Sequence, residues 1–302
     1  MDEFIHASVM TQETIALLKP RSGGVYADAT LGGAGHTAAI LDASAPDGLV
    51  VAVDRDPRAV ANAEKRLSQY GSRVRVLHGE FGDLPALLTS AGHPRVDGVV
   101  ADVGVSSPQL DDAERGFSFS QLGPLDMRMD SSQGLTAREL IEELSETDLA
   151  DVIYRYGEER RSRAIARSIR RALEAGELQT TEDLRRAVQR AVGRPPGSKI
   201  DPATRTFQAL RIAVNQEMTQ LQALVGCLAD VLHDHGVAVV ISFHSLEDRI
   251  VKHAFRDDAR LRPLTKRPLL AGEQEQADNR RSRSAKLRAA ERVPREEVEA
   301  SA

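Results

Sequence analysis

This 302-residue chain is nearly devoid of cysteine, carries no positive excess and has no long apolar run. Its one cysteine, Cys227, excludes an intrachain disulfide and a cysteine-clustered zinc site. Cys227 lies in a helical pattern and reads as a structural thiol. No apolar stretch approaches the length of a membrane span. The start, Met1-Asp2-Glu3-Phe4-Ile5-His6, lacks a basic n-region and an apolar h-region, so the expected location is cytosolic. A net charge of −5 argues against a protein that coats nucleic acid without specificity, but it leaves room for local basic surfaces. There is no internal repeat. What is present is 41% apolar and 28% charged residues, the composition of a globular protein with a substantial core in one large or two ordinary domains.

The first third alternates strand and helix patterns. Val25-Tyr-Ala-Asp-Ala-Thr30, Leu49-Val-Val-Ala-Val-Asp54, Val74-Arg-Val-Leu-His78 and residues 97–102 read as four strands. Asp56 and Pro57 open a helix as N-cap and first helical residue. Such alternation predicts an α/β fold, a mostly parallel sheet with helices on both faces. From about 109 to about 216 no strand is evident. Helices dominate there, announced by the capping boxes Thr136/Glu139, Ser145/Asp148 and Thr180/Asp183. A loop is expected over 193–198. A helix is then expected over 217–235, capped by Gly236 and with His233 and His235 complementing its end. Val237-Ala-Val-Val-Ile241 makes a fifth strand, 269–279 a polar mobile loop and 295–302 a frayed acidic tail. The predicted organisation is a discontinuous core of 1–108 and 217–302, interrupted by a helical domain of 109–216.

The most informative stretch is Val99-Val-Ala-Asp-Val-Gly-Val-Ser-Ser-Pro-Gln-Leu-Asp111. An apolar run ends in a carboxylate and breaks into a polar turn, as a buried strand does when it delivers an acid to the rim where open α/β sheets bind ligands. Asp54 ends the second strand about twenty residues after the glycine run, where an acid reaches a ribose. The glycine run itself, Thr30-Leu-Gly-Gly-Ala-Gly-His36, lacks the Gly-x-Gly-x-x-Gly spacing of a dinucleotide site. Asp28 stands inside strand one, and a cationic sulfonium tolerates such carboxylates better than a pyrophosphate does. Phe81 can lie against an adenine or belong to the core.

These residues resemble the bacterial small-subunit ribosomal RNA (cytosine-N4)-methyltransferase family, called RsmH or MraW. The resemblance runs from His6 to about Arg292. It rests on Asp54-Arg-Asp-Pro57, the stretch from Asp102 to Phe119, Gly123-Pro-Leu-Asp-Met-Arg-Met-Asp130, Tyr156-Gly-Glu-Glu-Arg160, Pro202-Ala-Thr-Arg-Thr-Phe-Gln-Ala-Leu-Arg211, and Ile241-Ser-Phe-His-Ser-Leu-Glu-Asp-Arg-Ile-Val-Lys252. Two departures are visible: Ala34 replaces a glycine of the loop, and Arg280 stands where proline is usual. Ala34 implies a backbone that avoids a conformation only glycine holds.

The resemblance implies a Rossmann-like core, S-adenosyl-L-methionine as cofactor, and contacts to it from Ala34, Gly35, His36, Asp54, Phe81, Asp102 and Gln109. The implied substrate is a cytosine of 16S ribosomal RNA near the decoding centre, in the small subunit or its assembly precursor. No membrane partner is implied, and a homodimer stays open. A nucleotide- or RNA-binding assembly factor without catalysis and an NAD-dependent oxidoreductase are the competing readings.

Asp102 is the catalytic candidate, either accepting a hydrogen bond from the reacting amine or orienting the cofactor. Amino-methyltransferases commonly follow this acid with Pro-Pro and an aromatic, whereas here Val103-Gly104-Val105 follows. His244 reads as a general base or as a structural histidine. Arg160, Arg163 and Arg167 fall with Arg170 and Arg171 on one face of a helix over about 158–173, suited to phosphates or simply solvated. Phe117 and Phe119 can stack on an unpaired base or anchor their loop. Methyl transfer needs no metal, and the histidines form no ligand set.

Overall fold

The computed structural model describes residues 8–193 and 201–300. In chain order come α1 (Thr11–Leu18), β1 (Val25–Asp28), α2 (Gly35–Ala43), β2 (Leu49–Asp54), α3 (Pro57–Arg66), β3 (Val74–His78), α4 (Leu84–Ser90) and β4 (Val96–Asp102). Six helices follow: α5 (Ser107–Asp111), α6 (Ala137–Glu143), α7 (Glu146–Gly157), α8 (Ser162–Glu174), α9 (Thr181–Val192) and α10 (Ala203–Val214). The chain closes with α11 (Glu217–Val231), β5 (Leu232–Ser242), α12 (Ser245–Asp257), β6 (Leu261–Pro263), α13 (Glu273–Asp278), β7 (Lys286–Arg292) and α14 (Arg295–Ala300). It divides into two compact units, Met1–Gly104 with Met218–Ala302, and Val105–Glu217. The chain leaves the first unit at Gly104, whose φ of +108° turns it sharply after β4.

The first unit is a seven-stranded sheet in the order β3-β2-β1-β4-β5-β7-β6. Its first five strands are parallel, and β7 runs antiparallel to both β5 and β6. This is a Rossmann-like α/β fold. Alternate strand residues serve opposite faces, so the strands are apolar throughout. Ala27, Val51, Val53, Val99, Ala101 and Val240 pack with Leu84, Leu88, Leu224, Leu228, Val251 and Phe255 of α4, α11 and α12. Tyr26, Val50, Ala52, Val100, Val239 and Ile241 pack with Leu18, Ile40, Leu41 and Ala63 of α1, α2 and α3. Helices thus cover both faces. No helix among the described residues is long and apolar enough to cross a membrane.

The second unit is helical, with no strand among its described residues. Its core joins Ile141, Leu149, Ile153, Ile165, Ile169, Leu184, Val188, Phe207 and Leu210 to Phe117, Met127 and Met129. The hydroxyls of Thr136, Ser145 and Thr180 accept the backbone N–H of Glu139, Asp148 and Asp183 and cap α6, α7 and α9. Each such cap stabilises by about 1 kcal/mol. Beyond Gly193, the loop expected over 193–198 lies outside the described residues.

Several local expectations need correction. The helix expected over 217–235 stops at Val231, because Leu232 already pairs with Val96 and the chain bends at His235, φ +65°, before Val237 pairs with Gly98. His235 therefore complements no helix; its Nδ1 lies 2.9 Å from Glu291 Oε1. The segment 269–279 contains α13, anchored where the Met10 N–H donates to Glu275 Oε1 at 2.7 Å. The acidic tail is helical to Ala300. Cys227 is half-buried in α11, and burial pushes its thiol up to about 11, so it is inert.

Candidate active site at the carboxyl ends of the sheet

The sheet reverses its strand order between β1 and β4, the switch point outside which ligands of open α/β sheets bind. Asp28, Asp54 and Asp102 end β1, β2 and β4 there. The turn after β1 is tied to its neighbours: the Leu31 N–H donates to the Val53 carbonyl (2.8 Å), and the Gly32 N–H to Asp54 Oδ2 (2.7 Å). Asp54 Oδ1 accepts the Asp56 N–H at 2.8 Å. One N–H on each oxygen leaves lone pairs for a ligand diol.

Ala34 corrects the sequence expectation. Its φ of +64° and ψ of +16° place it in the left-handed region, at the N-cap of α2, and it is wholly buried. That conformation costs an L-residue about 1–2 kcal/mol. It is held by the tight turn in which the Ala34 N–H donates to the Leu31 carbonyl at 2.7 Å. Gly35 is closely approached: a Cβ there would sit 2.1 Å from Ser8 Oγ and 3.0 Å from Ser8 Cβ, so Ser8 would have to shift.

His36 follows at the start of α2, 4% exposed, with neither ring nitrogen in a well-aligned hydrogen bond, the Val9 backbone being the polar group nearest to favouring its charged form. Burial, reinforced by the nearby Arg281 charge, lowers its pKa to about 4, so the ring is neutral. Its Nε2 lies 3.9 Å from Asp102 Oδ2. With a neutral ring this approach is no ion pair. The Asp102 N–H donates to Thr30 Oγ1 at 2.6 Å, while its buried Oδ1 has no partner. Burial pushes Asp102 up to about 7; Arg281 opposes the shift, and the Asp28 and Glu247 charges add to it. Burial likewise raises Asp28 and Asp54 to about 6, although Thr37, Thr30 and backbone N–H groups donate to them. Such a set of reluctant carboxylates, a buried neutral imidazole and an open acceptor suits a cationic ligand rich in donors and acceptors.

Phe81 follows β3, half-buried and packed against the core of its unit. His244 caps α12, accepting the Glu247 N–H at 3.5 Å, with its Nε2 3.0 Å from Glu247 Oε1 but out of line for a hydrogen bond. The structural role is the one this geometry displays. Glu247, 1% exposed, accepts the N–H groups of Phe243 (2.7 Å) and His244 (3.2 Å). Sequence reading missed Glu247 and Arg281. The first was legible as the N3 acid of a capping box opened by His244. The second had no local signal: its guanidinium reaches the site over the Phe243 ring, at 5.1 Å.

The remaining candidates belong to the helical unit. Gln109 is buried, and its Oε1 accepts the Ser106 N–H at 2.9 Å in the capping box of α5. Phe117 is 6% exposed, and Phe119 packs edge-on against Phe207 with centroids 4.9 Å apart. Phe117 anchors its loop in the helical core, while Phe119 is half-buried there with the Arg185 guanidinium 5.6 Å from its ring centroid. Arg160 lies in the turn before α8, not in the helix; Arg163 and Arg167 are on its exposed face. Arg170 leaves the expected stripe, donating to the Ile141 carbonyl at 2.9 Å. Among the described residues no group of three His, Cys, Asp or Glu side chains is placed to hold a metal ion.

Comparison with known proteins gives a consistent result. The sequence profile of the MraW methylase family matches residues 3–293. A ribosomal RNA small subunit methyltransferase H from Sorangium cellulosum is 59% identical over 95% of this chain and 91% of its own length. Proteins of the same name are similar at 50% identity in Synechococcus elongatus (96% of this chain, 95% of that one) and 47% in Geotalea uraniireducens (97% and 100%).

Proposed function

This chain belongs to the MraW methylase family, and on that premise we propose that it methylates the exocyclic N4 of a cytosine in 16S ribosomal RNA, near the P site of the decoding centre. The cofactor is S-adenosylmethionine, which when bound supplies a methyl group activated on a sulfonium sulfur. The observation that carries this reading is Asp102: a carboxyl at the end of β4 with an unpartnered buried Oδ1, among acids that favour a cation. Asp54 would hold the ribose hydroxyls, with the Ala34–His36 turn and Phe81 beside it. A pyrophosphate in their place would meet Asp28, Asp54 and Asp102 as like charges.

The N4 lone pair of cytosine is delocalised into the ring and is a poor nucleophile. The chain's task is to orient that amine and accept a hydrogen bond from it as the nitrogen pyramidalises. Asp102 is the acceptor, and the same carboxylate takes the proton that the methylated nitrogen sheds. A carboxyl that titrates near 7 suits both tasks at physiological pH. The RNA is met in the cytoplasm, in the small subunit or its assembly precursor.

The test is methyl transfer from radiolabelled S-adenosylmethionine to small subunits from cells that lack the gene. Mass spectrometry should find the label at one cytosine of 16S ribosomal RNA, as N4-methylcytidine. Label on ring carbon or ribose, or no transfer, overturns the assignment.

A further inference from the structure

Among its described residues the helical unit carries one exposed aromatic ring in an unusual setting. Tyr154 on α7 is 59% exposed, next to Ile153, which faces the core. It borders a groove of about 480 Å3 lined also by Asp151, Arg160, Arg161 and Arg163. Arg161 is fixed there, donating to the carbonyls of Ala191 and Val192 at 2.9 Å each. Arg160 and Arg163 are exposed and have no ion-pair partner among the described residues. A second groove of about 450 Å3 shares Ala164 with the first and is lined by Arg167, Arg171, Arg190 and Glu177; there Arg190 pairs with Glu177 at 3.0 Å and Arg167 with Glu146 at 3.5 Å, so the free cationic end is the first groove.

Residues 160–171 contain six arginines and no acid. The contrast within the same unit is informative. The exposed arginines of α9 are neutralised, Arg186 by Asp183 of the same helix (3.0 Å) and Arg190 by Glu177 (3.0 Å). A solvated helix face is normally built that way. Arg160 in the turn before α8 and Arg163 in its first turn are left cationic beside the exposed Tyr154 ring.

We infer that this groove binds single-stranded RNA, with Tyr154 stacking on an unpaired base and Arg160 and Arg163 meeting the flanking phosphates. Farther along α8, past Arg167 in its pair with Glu146, Arg171 stands about 12 Å from Arg163. The inference rests on the proposed reading of the protein as an RNA methyltransferase and adds the residue that selects unpaired bases. Stacking on tyrosine tolerates any base, so the groove supplies affinity for an open strand rather than sequence.

The test uses the full chain and fluorescence anisotropy with a labelled 12-nucleotide oligocytidylate and a duplex of the same length. The single strand should bind more tightly. Tyr154→Ala should weaken single-strand binding by about 5- to 100-fold without changing the salt slope, and Tyr154→Phe should keep it. Arg160→Ser with Arg163→Ser should flatten the slope of log K against log salt by roughly 1.4, two phosphate contacts. Unchanged binding by Tyr154→Ala, an equal loss on the duplex, or displacement by oligoglutamate as effective as by RNA overturns the inference. Methyl transfer is scored separately. If the wild type methylates and Tyr154→Ala does so with unchanged KM, the groove reading fails alone. If the wild type does not methylate but binds RNA through Tyr154, the enzymatic reading fails alone.

Discussion

Acids are put to opposite uses in the two units. In the helical unit, hydrogen bonds from Thr136 hold Glu139 below its usual range. Against the opposing pull of burial, Thr180 holds Asp183 down, and the Ala203 N–H with Arg185 holds Asp201 down. These carboxylates cap helices and pair arginines, and their ionisation stabilises the fold. At the strand ends of the sheet unit, burial raises Asp28, Asp54 and Asp102 to about 6, 6 and 7. Their ionisation works against the ligand-free fold. Groups kept at such a cost belong where a ligand completes them.

Replacing Asp102 tests this contrast most severely. Asp102→Ala should lower single-turnover methyl transfer at saturating cofactor by at least about a hundredfold, the scale of a lost transition-state contact. Full rescue at high cofactor would instead make Asp102 a cofactor-orienting residue.

Asp54→Ala should weaken S-adenosylmethionine binding by about 10- to 100-fold, the equivalent of a charged hydrogen-bond pair of about 1.5–3 kcal/mol. RNA binding should hardly change. Calorimetry that finds cofactor affinity intact removes Asp54 from the ribose.

The pH dependence separates the units further. The raised acids bind protons in the folded state at pH values where the unfolded chain, with aspartates near 4, has released them. Their contribution is therefore fully present below about pH 4 and is lost as pH rises through 6 to 7. Asp102→Asn should stabilise the ligand-free protein at pH 8 by on the order of 2–4 kcal/mol, by clearly less at pH 5, and hardly at all below pH 4. Cationic S-adenosylmethionine should bind more tightly as pH rises through that window, and its neutral-sulfur demethylated product much less so. Denaturant melts and titrations at both pH values measure this. Equal pH dependence for the two ligands would show that no cation is being recognised.

The smallest effects are the backbone ones, and they have opposite signs. Thr180→Ala removes a helix cap and should destabilise by about 1 kcal/mol. Ala34→Gly relieves a left-handed alanine and should stabilise by about 0.5–1 kcal/mol. A destabilised Ala34→Gly would mean that the packing of the alanine methyl outweighs the strain.

Much of this was legible in the residues because the signals are local. Valine-rich runs ending in Asp54 and Asp102 mark buried parallel strands and their exits. The spacings Thr136/Glu139, Ser145/Asp148 and Thr180/Asp183 mark helix starts, and each acts within one turn. The acids of the candidate site were readable for the same reason, since strand and carboxylate are adjacent in sequence.

What tertiary structure alone decided involves partners far apart in the chain. Lys286–Arg292 is rich in arginine and alanine, residues poor in strand preference, yet it forms β7 because β5 and β6 offer ladders on both sides. Phe117 and Phe119 look like free loop aromatics until Phe207 and the helical core close over them. Ala34 enters a glycine conformation because the turn between β1 and α2 leaves it no other. Arg281 reaches the field of Asp102 from the far end of the chain. By itself the sequence determined the α/β core, the helical insertion and the row of acids, through periodicity and capping chemistry that act over a few residues. Burial, strand pairing and the pKa values that follow from them depend on which distant surfaces meet, and only the folded chain brings those together.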